Sequence, residues 1–251
     1  MDLGLKDKVV LVTGSSRGAG RVMAAMFAAE GARVVVNYHT ERAGAEETAA
    51  RVQQAGGQAL IVQGDVTSRD SMRMLVEQAA RQWGPIQVLV NNAVSFEAEV
   101  PLEEMSDAVL DKLLDVVVKG AINAAAACAP AMKAAGWGRI VNITSRSAIM
   151  GSARMSHYSA AKAALVGLTR TWAKELGPAG ILVNAIAPTM IMTDKMLASM
   201  PKETQERLAK SNPLRRLATP EDIARAVLFL GSAANTYING EIITVGGGVM
   251  S

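Results

Sequence analysis

Of the 251 residues only one is a cysteine, Cys128. No intrachain disulfide can form, and a lone cysteine after the alanine-rich stretch from Ala124 to Ala127 reads as a small buried residue, consistent with a reducing cytoplasm. Aromatic residues make up just 4%, so the core must be built from Ala, Val, Leu, Ile and the 14 methionines. Charge of one sign never accumulates. The 26 Lys+Arg oppose 23 Asp+Glu, with no basic run longer than Arg215-Arg216, too diffuse for a nucleic-acid footprint. An uninterrupted apolar run of 18 residues is absent, and the opening Met-Asp-Leu-Gly-Leu-Lys-Asp-Lys lacks the basic-then-apolar order of a signal peptide. The expectation is a soluble, unexported, cytoplasmic protein with no membrane or nucleic-acid partner and no metal.

What is present is an alternation. Short β-branched runs at Val9–Val12, Arg33–Val36, Ala59–Val62, Val88–Val90, Ile140–Ile143, Leu182–Ala185 and Ile242–Val245 are separated by longer stretches of helical period. The runs are apolar throughout rather than alternating, which predicts strands covered on both faces. The fold class is therefore α/β: a Rossmann-type, doubly wound, parallel seven-stranded sheet with helices on both faces. Helix starts are marked by Thr40 before Glu41, by Ser68 ahead of Arg69-Asp70, and by Thr219-Pro220-Glu221-Asp222. One domain spans 1–251. The mixed segment 189–217 reads as an insertion over the carboxyl edge of the sheet, a substrate lid.

After the first run comes Thr13-Gly14-Ser15-Ser16-Arg17-Gly18-Ala19-Gly20, leading straight into a helix. Gly14 permits a tight exit from the strand, and Gly18 and Gly20 let the backbone approach a pyrophosphate at the helix N-terminus. This T-G-x-x-x-G-x-G resembles the short-chain dehydrogenase/reductase family, in particular the 3-oxoacyl-carrier-protein-reductase-like members, and the likeness runs from residue 8 to 248. By that resemblance Ser16, Arg17 and Ala19 join the glycines in holding a nicotinamide dinucleotide. Asp65-Val66 is similar to the family's adenine-contacting Asp, and Asn91-Asn92-Ala93 resembles its N-N-A-G turn, in which Val94 replaces the glycine.

Tyr158 and Lys162 stand four apart, on one helical face, so an ammonium can lie near a phenol. A free tyrosine titrates near pH 10, and exchanging protons near neutrality requires acidifying it by roughly 3 units, worth about 4 kcal/mol. Lys162 together with an oxidised nicotinamide's charge is expected to supply this. Ser145, 13 residues before Tyr158, matches the serine that hydrogen-bonds substrate oxygen in the resembled family, with Thr144 a less well aligned hydroxyl. The resemblance implies direct hydride transfer, with Tyr158 protonating the nascent alkoxide and Lys162 also holding the nicotinamide ribose. Pro188, Ile191 and Thr193 fall in the segment similar to the one that clasps the carboxamide, although Thr189 stands where glycine is usual. One departure touches the chemistry: in Leu114 to Gly120, similar to the family's V-N-L-x-G segment, Val117 replaces the asparagine that completes a catalytic tetrad. Valine cannot hydrogen-bond through its side chain, so the proton relay through Lys162 must be rerouted or slowed. Asn123 faces elsewhere by helical spacing.

Val36-Asn37-Tyr38-His39-Thr40 offers no acid for adenosine ribose hydroxyls at the end of the second run. Arg17 adds a cation where a 2′-phosphate would lie, and uncharged Asn37, with Tyr38 and His39, permits that dianion to approach. NADP(H) is expected over NAD(H), the other reading of Arg17 being a solvated loop charge. Met150, Met155, Met190, Met192 and Met196 suggest an adaptable apolar pocket or ordinary packing. A 3-oxoacyl-carrier-protein reductase is one alternative, but the positions aligned with its partner-binding arginines are Gly136 and Ala179. A small ketone or alcohol is favoured as substrate, and a non-catalytic NADP(H)-binding protein is the alternative of another class. The family relationship implies a homotetramer.

Overall fold

The computed structural model describes residues 2–249, apart from the side chains at 194 and 195, so residues 1, 250 and 251 of the expected domain lie outside it. Its strands are β1 (Val9–Val12), β2 (Arg33–Tyr38), β3 (Gln58–Gln63), β4 (Val88–Asn91), β5 (Gly138–Ile143), β6 (Ile181–Pro188) and β7 (Ile242–Val245). All pair in parallel, in the order β3-β2-β1-β4-β5-β6-β7. The expected seven-stranded doubly wound sheet is present, and its central strands explain why. Val10, Val12, Val34, Val36, Val88 and Val90 enter one core layer. Their alternates Val9, Leu11, Val35 and Leu89 enter the other. Period-two side chains with both faces buried leave no polar position, which is why the runs read as continuously apolar.

The helices are α1 (Gly18–Ala29), α2 (Arg42–Gln54), α3 (Arg69–Trp83), α4 (Asp107–Leu113), α5 (Gly120–Ala135), α6 (Ser147–Met150), α7 (Ser156–Leu176), α8 (Asp194–Ser199), α9 (Lys202–Ser211) and α10 (Pro220–Leu230). Helices α1 and α10 supply one layer through Met23, Phe27, Ile223 and Val227. Helices α3, α5 and α7 supply the other through Met72, Leu75, Ala124, Cys128 and Ala173. Cys128 is buried, as expected, and burial pushes its thiol up to about 12.

Two helix starts follow their sequence signals. Ser68 accepts from the Ser71 amide at 3.2 Å, and Thr219 forms a capping box with Asp222 behind Pro220. The third is corrected: α2 begins at Arg42 with Glu41 as its N-cap and no side-chain cap, because Thr40 contributes its carbonyl rather than its hydroxyl. Most strands also outrun the apolar runs. Asn37 and Tyr38 continue β2 by pairing with Val62 and Gln63, since ladder hydrogen bonds do not depend on side-chain polarity. Helices α4 and α5 are joined by a π-helical stretch, Leu114–Lys119, into one helix, Asp107–Ala135, with a window of mean hydropathy 1.4, long and apolar enough to cross a membrane. Of that window 44% is buried inside this domain, and the helix places Leu113, Val117, Ala124, Cys128 and Met132 in the core.

Strand order reverses between β1 and β4, and the crevice outside their carboxyl ends is where an open α/β sheet binds its ligands. The segment 189–217 carries α8 and α9. A bridge from Ile191 to Ala218 closes its base.

Candidate active site

The glycine loop leaves β1 at this reversal. Gly14 holds φ +61°, and a Cβ there would stand 3.0 Å from the Ala93 Cα. At Gly20 a Cβ would meet the Asn92 side chain at 2.6 Å and the Gly14 carbonyl at 2.9 Å. No side chain caps α1: its N-cap is Arg17, in extended conformation, with no cap hydrogen bond. The first amides of the helix therefore face outward without a side-chain acceptor, beside a loop too tight for side chains. That cradle fits a dinucleotide pyrophosphate.

The loop is fixed from three sides. Asn37 accepts from the Gly14 amide at 3.0 Å and donates to the Gly64 carbonyl at 3.0 Å. Asn92 donates to the Thr13 carbonyl at 2.8 Å, while Thr13 Oγ1 accepts from the amides of Asn92 and Ala93. Arg21 donates to the Ser16 carbonyl at 2.7 Å and to Thr48, and pairs with Glu47 at 2.7 Å. The side chains of Asn37 and Asn92, both expected at the cofactor, thus brace the loop itself. The Tyr38 ring lies in the core, leaving His39, 65% exposed and 3.8 Å from Asp65, as the open side chain at the end of β2. Sequence reasoning missed the Arg21 and Thr48 braces. The available signal was a threonine on the otherwise apolar buried face Ala45, Thr48, Ala49, Val52 of α2.

The other expected cofactor positions line the same edge. Asp65 caps its own turn by accepting from the Thr67 amide and hydroxyl, leaving Oδ2 toward His39. Val66 packs closely on Gly120. The Pro188 carbonyl accepts from the Arg146 amide, and Thr193 caps α8. A methyl of Thr193 lies 3.7 Å from where a Gly18 Cβ would be, which brings 189–193 across the glycine loop. Val94 and Thr189 replace family glycines without strain: neither is among the positive-φ residues.

Ser145 lies two residues past β5, and Tyr158 and Lys162 rise from α7. Thr144 is separated from Ser145 by its partner, since its hydroxyl donates to the Lys162 carbonyl at 2.7 Å and is 1% exposed. It pins α7 to the sheet. Ser145 Oγ accepts from the Ser147 amide at 3.2 Å and lies close enough to the Tyr158 phenol to favour its ionised form. Lys162 Nζ donates to the Ile143 carbonyl at 2.6 Å and lies 5.8 Å from the Tyr158 ring centroid. Burial pushes this ammonium down to about 8. It also pushes the Tyr158 phenol up, the Ser145 hydrogen bond opposing only in part. The expected acidification of Tyr158 is thus not a property of the protein groups alone, because desolvation of a phenolate outweighs a hydrogen bond from one hydroxyl. A neutral phenol next to a serine hydroxyl is a proton donor in place.

Val117 is 2% exposed and packs with Leu113, Ala121, Ala161 and Leu165 against Tyr158. Asn123 is no substitute: it donates to the carbonyls of Val66 and Thr67 and ties α5 to the β3–α3 turn. Of the methionines, Met192 is core, whereas Met150 and Met190 are exposed together with Phe96 and Ile149. Phe96 follows β4, Ile149 and Met150 follow β5, and Met190 follows β6, which puts all four in segments leaving the carboxyl edge of the sheet.

Comparison with known proteins places this geometry. A family model described as enoyl-(acyl carrier protein) reductase matches residues 14–250. A cis-4-hydroxycyclohexanecarboxylate dehydrogenase from Sinomonas cyclohexanicum is 38% identical over 96% of both chains. A 3-oxoacyl-[acyl-carrier-protein] reductase from Staphylococcus epidermidis is 35% identical over 97% of this chain and 99% of its own. Among solved structures, a 7α-hydroxysteroid dehydrogenase complexed with NADH and 7-oxo glycochenodeoxycholic acid superposes with TM-score 0.91 at 35% identity, covering 98% of this chain and 96% of that one.

Proposed function

Because the chain belongs to the short-chain dehydrogenase/reductase family, we propose that it interconverts a ketone or other carbonyl and its secondary alcohol by direct hydride transfer, with NADP(H) as cofactor. The observation that carries this reading is the meeting of Tyr158 and Lys162 on one face of α7, with Lys162 Nζ 5.8 Å from the Tyr158 ring centroid and Ser145 close enough to act on the phenol. Ser145 holds the substrate oxygen, and Tyr158 donates the proton that turns a nascent alkoxide into an alcohol or withdraws it in the reverse direction. Lys162 stays anchored to β5 close behind the phenol. A nicotinamide held here supplies or accepts the hydride. The residues that would hold it are Gly14, Ser16, Gly18, Ala19 and Gly20 at the pyrophosphate, Asp65 and Val66 toward adenine, Lys162 at the ribose, and Pro188, Ile191 and Thr193 at the carboxamide.

The preference for NADP(H) rests on Arg17. It is exposed, without an ion pair among the described residues, and sits at the mouth of the glycine loop where no carboxylate ends β2. A phosphate dianion gains a charge-assisted partner there, whereas bare ribose hydroxyls meet no acceptor acid. NADPH is expected to bind at least about tenfold more tightly than NADH, measured by fluorescence titration of each. Equal affinities or a preference for NADH would remove the cofactor assignment.

The substrate is a small molecule with an apolar body, met by the rim of Phe96, Ile149, Met150 and Met190, with 189–217 acting as its lid. The relatives with ring-alcohol names fit such a rim. A 3-oxoacyl-carrier-protein thioester is the second reading, favoured by relatives of that name and weakened by Gly136 and Ala179 at the positions aligned with partner-binding arginines. A homotetramer in the cytoplasm completes the proposal.

A further inference from the structure

A chain of polar groups crosses the core beneath the active site. The Thr169 hydroxyl donates to the Leu165 carbonyl at 2.7 Å and accepts from Asn142 Nδ2 at 2.8 Å. Asn142 Oδ1 then faces β4 and accepts from Asn91 Nδ2 at 2.9 Å. This leaves Asn91 Oδ1 without a partner in a residue only 5% exposed. Reversing one amide sets like against like, and reversing both merely exchanges the unpaired acceptor for an unpaired donor. A buried polar atom of this kind calls for a partner.

Asn91 lines a cavity of about 10 Å³ together with Thr13, Val116, Val117, Gly120 and Leu165, about the room one water molecule needs. Thr13 cannot serve the orphan, because its hydroxyl already donates to the Val90 carbonyl and accepts two amides. Val116, Val117 and Gly120 belong to the π-helical stretch and its exit, where the Gly120 amide reaches back five residues to Asp115. Returning from that spacing to the ordinary four-residue spacing skips one carbonyl, so the turn too is short of a donor.

We propose that this cavity is a built site for a single water molecule, which donates to Asn91 Oδ1 and to the skipped carbonyl and so ties Leu114–Lys119 to β4. Val117 is what makes the room. The site is independent of the cofactor and substrate assignments, but it bears on the chemistry through position: Val117, in the stretch it anchors, belongs to the core cluster on which Tyr158 packs.

High-resolution diffraction from the full chain and melting of two variants test this. One water is expected within about 2.6–3.2 Å of Asn91 Oδ1. Val117→Ile extends a methyl into the cavity, expels the water and strands the amide, lowering the melting temperature by roughly 2–8 °C. Val117→Asn, whose amide can donate to Asn91 itself, is expected to melt within about 2 °C of the parent. A dry cavity behaves in the opposite way, since filling it with Val117→Ile raises the melting temperature. That rise, or the absence of water density in the parent protein whatever the variants do, overturns the proposal.

Discussion

Replacing Tyr158 by phenylalanine is expected to lower turnover at least about a hundredfold while leaving cofactor affinity within about twofold. The change removes one hydroxyl. The ring that packs against Leu113, Val117, Ala161 and Leu165 is kept, and Lys162 keeps its hydrogen bond to the Ile143 carbonyl. What is lost is the neutral phenol that burial holds in its protonated form beside Ser145. The loss therefore belongs in kcat, because proton donation is an interaction of the transition state rather than of bound substrate. Ser145→Ala is expected to follow the same direction less severely, since the proton donor remains. Steady-state rates on a proven substrate, with cofactor titration alongside, check both halves. Wild-type turnover in Tyr158→Phe would remove the assigned acid.

Gly20→Val is expected to weaken cofactor binding at least about a hundredfold and to leave the sheet intact. Its first side-chain atom would already lie 2.6 Å from the Asn92 amide nitrogen, 2.9 Å from the Gly14 carbonyl and 3.0 Å from the Ser15 Cα. Two of those three neighbours are backbone of the same loop, which is clamped by Asn37 from β2 and by Arg21 from the other side. The loop can yield only by moving off the N-terminus of α1, where the pyrophosphate would sit. Fluorescence titration with NADPH measures the loss, and a far-ultraviolet circular dichroism spectrum like the parent's separates it from unfolding. Undiminished affinity would mean that the cradle is not where the dinucleotide binds.

The fold could be read from the sequence because its signals are local and mutually consistent. Val9–Val12 and Val88–Val90 are apolar at every position since both sheet faces are covered, and Thr219-Pro220-Glu221-Asp222 carries its own cap. The pairing of Tyr158 with Lys162, the proposed catalytic pair, was legible for the same reason: spacing alone puts them on one helical face. Less legible were features that depend on which atom a polar side chain selects. Asn37 and Asn92 sit at the cofactor edge as expected but turn inward to the glycine loop, and nothing in their neighbours' identities distinguishes an asparagine that binds ligand from one that braces backbone. Thr144 and Ser145 are adjacent hydroxyls just past β5, yet one donates to the Lys162 carbonyl while the other lies toward the Tyr158 phenol. The π-helical stretch around Val117, packed against α7, left no trace in residue type.

The central claim is that Ser145, Tyr158 and Lys162 turn over a carbonyl substrate with a nicotinamide cofactor, and one measurement reaches it directly. NADPH carrying deuterium at C4 of the nicotinamide is mixed with a panel of small apolar ketones, and the products are analysed by mass spectrometry. The account predicts loss of the reduced-cofactor absorbance together with an alcohol bearing the label on its carbinol carbon. NADPH that binds but is oxidised by no ketone in the panel would contradict it and favour a protein that holds the dinucleotide without using it.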